Sequence, residues 1–169
     1  MNEVTKAKFD NLFRDYNINK IDTKRELMEK ELNRREFMKT FEDMIMKSIV
    51  PVMTEIGNYL EENGHGSLIG NHFEQQAIFM NIFPEKKSHN SHPSICFMAN
   101  ESSKKISIQL KSFMPDDSGY EKDLGEFDPE EITKEFVEHE IFNLIKESFS
   151  NYKASPKYYI PRSLKTRYT

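Results

Sequence analysis

Four of the five histidines lie in two polar segments on either side of a short apolar run. Neutral imidazole is a common ligand of zinc and iron, and a His-x-x-His spacing allows two side chains to reach one metal ion. The four histidines are His65, His72, His89 and His92. With Glu61 or Glu62 they form a candidate metal site. The alternative is that they are polar loop residues, because no fixed metal-binding motif is matched.

The single cysteine is the second residue type that could do chemistry. Cys96 lies between Ile95 and Phe97 in a segment with strand character, where a cysteine usually behaves as a small apolar residue. A nucleophilic thiol needs a base beside it, and His92 is near it only in sequence. We therefore expect Cys96 to be structural. One cysteine forms no disulfide within the chain, which favours a reducing compartment.

The remaining carboxylate pairs and the glycines predict no catalysis. Asp116 and Asp117 stand in the turn-rich stretch PDDSG, and Glu130 and Glu131 fit the start of a helix. No phosphate-binding glycine loop, zinc-protease motif or nucleophile elbow occurs in the sequence. We therefore expect no cofactor and lean towards a protein that is not an enzyme.

The last nineteen residues are basic although the chain has a net charge of −4. They contain five cations and no Asp or Glu, which leaves −9 on residues 1–150. The candidate partner-binding residues of this tail are Lys153, Lys157, Tyr158, Tyr159, Arg162, Lys165 and Arg167. The favoured interpretation is docking on the acidic body or on a second subunit. The alternatives are an unstructured end and binding to nucleic acid, which the acidic body disfavours.

The first forty residues predict two charged helices. Apolar residues recur at helical spacing through residues 4–16, and the stretch NINKID then predicts an interruption. Thr23 and Glu26 form a capping box that predicts a second helix start. This helix has only a narrow stripe at Met28, Leu32 and Phe37 or Met38. Its partner is expected to be a coiled-coil copy or the first helix folded back on it as a hairpin.

The next helix has a wider apolar face and a proline in its middle. Steps of three and four residues join Phe41 to Leu60, which is helical spacing. Pro51 cannot donate to the carbonyl of Lys47, so we expect a kink there. Gly64 is suited to the left-handed residue that ends the helix.

The spacing then changes from helical to alternating. The segments QAIFMNIF, PSICFMANE and KKISIQLKSF predict three antiparallel strands, with a short fourth near residues 124–127. Asp128, Pro129 and Glu131 predict the start of an amphipathic helix. The apolar face of this helix should cover the inward face of the sheet. The residues of this helix face are Ile132, Phe136, Val137, Ile141, Leu144, Ile145 and Phe149.

These elements predict an α+β fold with three parts: a charged helical extension over residues 1–40, a core domain over 41–150 and the basic, tyrosine-rich tail over 151–169. No secretory signal and no run of about 18 apolar residues is visible, so we expect a cytoplasmic protein without a membrane segment. The leading functional prediction is a protein–protein interaction module, a homodimer through its helical part, with an unidentified protein partner. The alternatives are a metal-binding protein or metal-dependent enzyme, and nucleic-acid binding through the tail.

Overall fold

The fold is α+β, as predicted. The computed structural model describes residues 2–72, 76–84, 92–113 and 119–154. The helices are α1 (Glu3–Met44), α2 (Val50–Glu62) and α3 (Lys134–Ala154), with a π-helical segment at Ile45–Ile49 and a 3₁₀ turn at Pro129–Glu131. The strands are β1 (Gly66–His72), β2 (Ala77–Phe83), β3 (Ser94–Asn100), β4 (Lys105–Phe113) and β5 (Gly119–Phe127). The chain divides into two compact units, Met1–Thr40 and Phe41–Thr169.

The N-terminal unit is one uninterrupted helix, so the predicted break at NINKID is wrong. α1 continues through all six of these residues. Thr23 caps no new helix, because its hydroxyl donates instead to the carbonyl of Asn19 one turn earlier (2.8 Å). The predicted helical hairpin is wrong for the same reason, since the residues that would have to reverse the chain are helical.

The helical hydrogen bonding changes directly before Pro51, where the sequence predicts a kink. The backbone N–H of Val50 donates to the carbonyl of Ile45, which is the wider spacing of a π-helix. Pro51 lies in the first turn of α2, where its missing N–H costs least. The left-handed residue that terminates α2 is Gly64 (φ +85°), as predicted. There His65 N–H donates to the carbonyl of Leu60 (2.9 Å) and Gly64 N–H to that of Glu61 (3.2 Å), a Schellman motif.

Within the described residues, the sheet has five strands rather than three or four. Their order is β1-β2-β3-β4-β5, and every neighbouring pair is antiparallel, which makes the sheet a simple meander. β1 was not predicted, and β5 begins five residues before the predicted short strand. The predicted hairpin between β3 and β4 is confirmed, with Asn100 opposite Lys105.

One face of the sheet forms the core with α2 and α3. Its buried residues are Ile78, Met80, Ile82, Ile95, Phe97, Ile106, Ile108 and Leu110. α2 packs on β1, and α3 packs on β3 and β4. On α3, Val137, Ile141 and Leu144 are at most 1% exposed, and the ring of Phe136 lies 5.0 Å from that of Phe127. The predicted position of the last helix on the sheet is therefore confirmed.

α3 begins later than the sequence predicts. The capping box of Asp128 and Glu131 is present, but it closes the 3₁₀ turn Pro129–Glu131. α3 then starts at Lys134, and the hydroxyl of Thr133 accepts a hydrogen bond from the backbone N–H of Phe136 (3.2 Å). Thr133 is therefore the residue that caps the main helix.

A polar cluster fastens the sheet to α3. Ser112 on β4 and Ser148 on α3 are buried, and their hydroxyl oxygens lie 3.3 Å apart. Tyr120 on β5 is hydrogen-bonded to Ser112 and Glu147. Burial, followed by the hydrogen bond to Glu147, raises the pKa of Tyr120 to about 12, so this phenol stays neutral over the physiological range.

Candidate interaction surfaces

The first candidate surface is an apolar strip on α1. Ile18, Ile21, Met28 and Leu32 are spaced by three, seven and four residues, which is the a/d pattern of a coiled coil, with Arg25 at the intervening position. Each of the four is at least half exposed. We call these four residues the α1 seam. Sequence reasoning found Met28 and Leu32 but missed Ile18 and Ile21, because they fall in the stretch interpreted as a break.

The charged residues beside the α1 seam are partly paired within the helix. Arg35 Nε lies 2.9 Å from a carboxylate oxygen of Glu31, and Arg34 approaches the other oxygen at 3.6 Å. The hydrogen bond from Arg35 lowers the pKa of Glu31. Arg25 contacts Asp22 at 3.5 Å. Such exposed pairs support the helix by a few tenths of a kcal/mol each, about 0.3–0.5, and do not cover the apolar strip.

The second candidate surface is a groove between α2 and α3, with a volume of about 650 Å³. Its apolar lining includes Ile56 and Leu60 from α2 and Ile145 and Phe149 from α3. Two large side chains that also line it, Tyr59 and Phe142, are 67% and 59% exposed. We call this feature the α2–α3 groove. An exposed, concave surface rich in aromatic side chains is typical of a site for a peptide or a small apolar ligand.

Acidic and imidazole groups accompany this apolar lining. Glu135, Glu138, His65 and His139 line the α2–α3 groove, and a smaller neighbouring pocket adds Glu55. Hydrogen bonds from its own backbone N–H and from Thr133 lower the pKa of Glu135, so this residue is ionised at neutral pH. Among the lining residues that the structure describes there is no Lys or Arg. The groove is thus apolar and negatively charged.

His65 is held in place at one end of the groove. Its Nδ1 lies 2.7 Å from the carbonyl oxygen of Pro84. Because a carbonyl only accepts, Nδ1 carries the hydrogen, and the Nε2 atom of the neutral ring is a hydrogen-bond acceptor. The ring meets that of Phe149 edge-on, with 4.8 Å between centroids.

The described histidines of the predicted metal site are not brought together. His65 precedes β1 and His72 ends it, so about seven residues of strand, roughly 23 Å, separate them. His92 lies near the His65 end, with its ring 4.7 Å from that of Phe83, and His72 stacks on Phe79 at 4.7 Å. His89 lies outside the described residues. Within the described ranges, no three His, Cys, Asp or Glu residues are placed to hold one metal ion.

The thiol of Cys96 is half-buried on β3 opposite Phe79. Burial raises the pKa of Cys96 by more than the positive charge of Lys111 lowers it. The thiol is therefore protonated at neutral pH, which makes it a poor nucleophile.

The predicted tail residues lie almost entirely outside the described part of the chain. Lys153 is an exception, because α3 extends to Ala154 and includes it. Lys157, Tyr158, Tyr159, Arg162, Lys165 and Arg167 all follow the last described residue. The helix therefore takes four residues that the sequence assigned to the tail.

Comparisons with known proteins give no functional class. No family model matches the chain, and no curated protein and no solved structure was found to be similar to it. None of the helices in the described ranges is long and apolar enough to cross a membrane. Any functional proposal must therefore come from the two surfaces themselves.

Proposed function

We propose that the protein is a non-enzymatic protein–protein interaction module that forms a homodimer through α1. The observation that carries this proposal is the large apolar surface that α1 exposes to solvent. Ten large apolar side chains between residues 4 and 32 are 47–67% exposed: Val4, Phe9, Leu12, Phe13, Tyr16, Ile18, Ile21, Leu27, Met28 and Leu32. Most helical stability in proteins comes from packing of an apolar face against another surface, and a partner along α1 would supply that packing.

The α1 seam supplies part of the area that a stable interface buries. A large side chain that is about 60% exposed presents roughly 100 Å² to water, so the four seam residues present on the order of 400 Å². A standard protein–protein interface buries about 800 Å² on each partner. The remainder would come from the aliphatic stems of the charged residues that flank the seam.

The spacing of the α1 seam favours a second copy of the same helix. In a parallel, in-register pair, Lys24 lies beside Glu29 of the partner subunit, because charged residues five positions apart flank such a seam. By the same spacing, Glu31 lies beside Glu36 of the partner subunit, and the two negative charges repel each other. Glu31 is already neutralised within its own helix by Arg34 and Arg35, so this repulsion is weakened.

The test is the molecular mass of the full-length chain, measured by light scattering after size-exclusion chromatography at tens of micromolar. Met28 and Leu27 are adjacent, apolar and similarly exposed, at 66% and 61%. Only Met28 belongs to the α1 seam. We expect Met28→Asp to give a monomer and Leu27→Asp to remain a dimer, while circular dichroism shows equal helix content.

Two results would remove the proposal. One is a wild-type protein that is strictly monomeric at these concentrations. The other is a dimer that withstands both Met28→Asp and Ile21→Asp. A pair of Asp carboxylates would lie between the packed helices without a partner, because Asp is too short to reach solvent as the long side chain of Arg25 can.

A further inference from the structure

We propose that the α2–α3 groove is the docking site of the chain's own C-terminal segment, residues 155–169, in the same subunit. This inference is independent of dimerisation through α1. It places residues 155–169, which are basic and rich in tyrosine, on the α2–α3 groove, which is apolar and acidic. Three features carry it: the point where α3 ends, the apolar lining and the sign of the charges.

The segment starts beside the groove. α3 ends at Ala154, and its residues line the groove from Phe149 back to Glu135. At about 1.5 Å per helical residue, Phe149 lies roughly 8 Å and Ile145 roughly 14 Å before the end of α3. If the chain reverses at Pro156 and continues in extended form, Tyr158 and the next two residues span roughly 7–13 Å. That reach is enough to bring them next to Phe149 and Ile145.

The side chains of the segment suit this lining. Residues 158–160 are Tyr, Tyr and Ile, and the groove offers them aliphatic and aromatic contacts from both helices. A buried tyrosine needs a partner for its hydroxyl. His65 meets that need at the same end of the groove, because its Nδ1 donates to Pro84 and its Nε2 is an acceptor.

The charges are complementary over the rest of the groove. The segment has four cations and no Asp or Glu, while Glu135, Glu138 and the neighbouring Glu55 supply carboxylates. Arg162 is six residues beyond Pro156, so an extended segment would allow it to reach roughly 20 Å back. Glu138 lies roughly 24 Å before the end of α3. A phosphate-bearing ligand, by contrast, would be repelled by these carboxylates.

Hydrogen exchange of the full-length protein tests the docking, read by mass spectrometry over residues 155–169. A synthetic peptide of the same residues supplies the unprotected rate. We expect amides 158–160 to exchange at least tenfold more slowly in the protein than in the peptide. Glu138→Lys should remove most of this protection. Glu130→Lys makes the same charge change at an exposed residue outside the groove, and it should leave the protection intact.

A mixing experiment separates docking within one subunit from exchange between subunits. Glu138→Lys has an intact segment and a damaged groove, whereas Tyr158→Ser/Tyr159→Ser has the reverse. If docking occurs within the subunit, mixing the two variants leaves the segment of Glu138→Lys unprotected.

Three outcomes would overturn the proposal. Exchange at the peptide rate in the wild type would mean that the segment does not dock. Protection that persists in Glu138→Lys would place it on another surface. If the segment of Glu138→Lys regained protection on mixing, the segment would dock in the groove of a second copy rather than in that of its own subunit.

Discussion

Replacing Gly70 with alanine tests how closely β1 and β2 pack on the outer face of the sheet. Gly70 is paired with Phe79, whose ring lies over it and stacks on His72. A β-carbon at residue 70 would collide with the ring, lying 2.9 Å from Cε1 and 3.1 Å from Cε2. The ring of Phe79 would have to move away from both neighbours. Because Gly70 does not have a positive φ, the backbone itself accepts alanine.

The expected magnitude follows from two opposing effects. Overpacking of this kind costs about 1–3 kcal/mol. Removing glycine from a strand stabilises the folded state by about 0.5–1 kcal/mol. Gly70→Ala should therefore lower the free energy of unfolding by up to about 2.5 kcal/mol in the wild type. In a Phe79→Ala background it should raise this free energy by about 0.5–1 kcal/mol, because the collision is gone.

The assay is guanidinium unfolding of the four proteins in this double-mutant cycle, followed by tyrosine fluorescence. Gly66 provides a matched control, because it also lies on β1 opposite a phenylalanine of β2, Phe83. A β-carbon there would be 3.4 Å from the nearest ring atom, which is ordinary contact. Gly66→Ala should therefore be neutral or slightly stabilising. Equal stability of the two alanine variants, or a coupling near zero with Phe79, would refute the packing argument.

Three further predictions concern single side chains of the core domain. Thr133→Ala should lower the free energy of unfolding by about 0.5–2 kcal/mol, because α3 loses the hydroxyl that accepts from Phe136; Thr133→Ser should restore most of it in the same denaturation assay. The pKa of Tyr120 is raised to about 12 in the folded protein, whereas tyrosine in an unfolded chain has a pKa of ~10. The neutral phenol therefore stabilises the fold below pH ~10. This stabilisation is lost as the pH rises towards 12. Tyr120→Phe should therefore remove both the last step of an alkaline absorbance titration and part of this pH dependence. Cys96 should react with iodoacetamide more slowly than a cysteine in a short peptide at mildly alkaline pH, and equally fast in denaturant, because burial raises its pKa.

The elements with strong local patterns were predictable from the sequence. The alternation of Ile106, Ile108 and Leu110 determines which face of β4 is buried. The spacing of Val137, Ile141 and Leu144 does the same for α3. In these segments, local preference and tertiary packing agree, so the pattern alone predicts the buried face.

Other features depend on effects that a local pattern does not contain. The asparagines around Ile18 favour a cap or a turn, but ending a helix and starting a new one costs more than continuing through them. β1 was missed because Gly66 and Gly70 weaken its alternation, and both glycines lie opposite aromatic rings of β2. The α2–α3 groove brings together helices about seventy residues apart in the chain, which only the folded structure reveals.

The simple order of the sheet has a consequence for synthesis on the ribosome. Each strand pairs only with its neighbours in sequence, so every hairpin can close soon after its second strand emerges, since short loops close at little entropic cost. α3, which packs on β3 and β4, is made after the whole sheet. A nascent chain therefore presents Phe97 and Ile108 to solvent until that helix arrives, and exposed apolar surface of this kind favours aggregation of a partly folded chain.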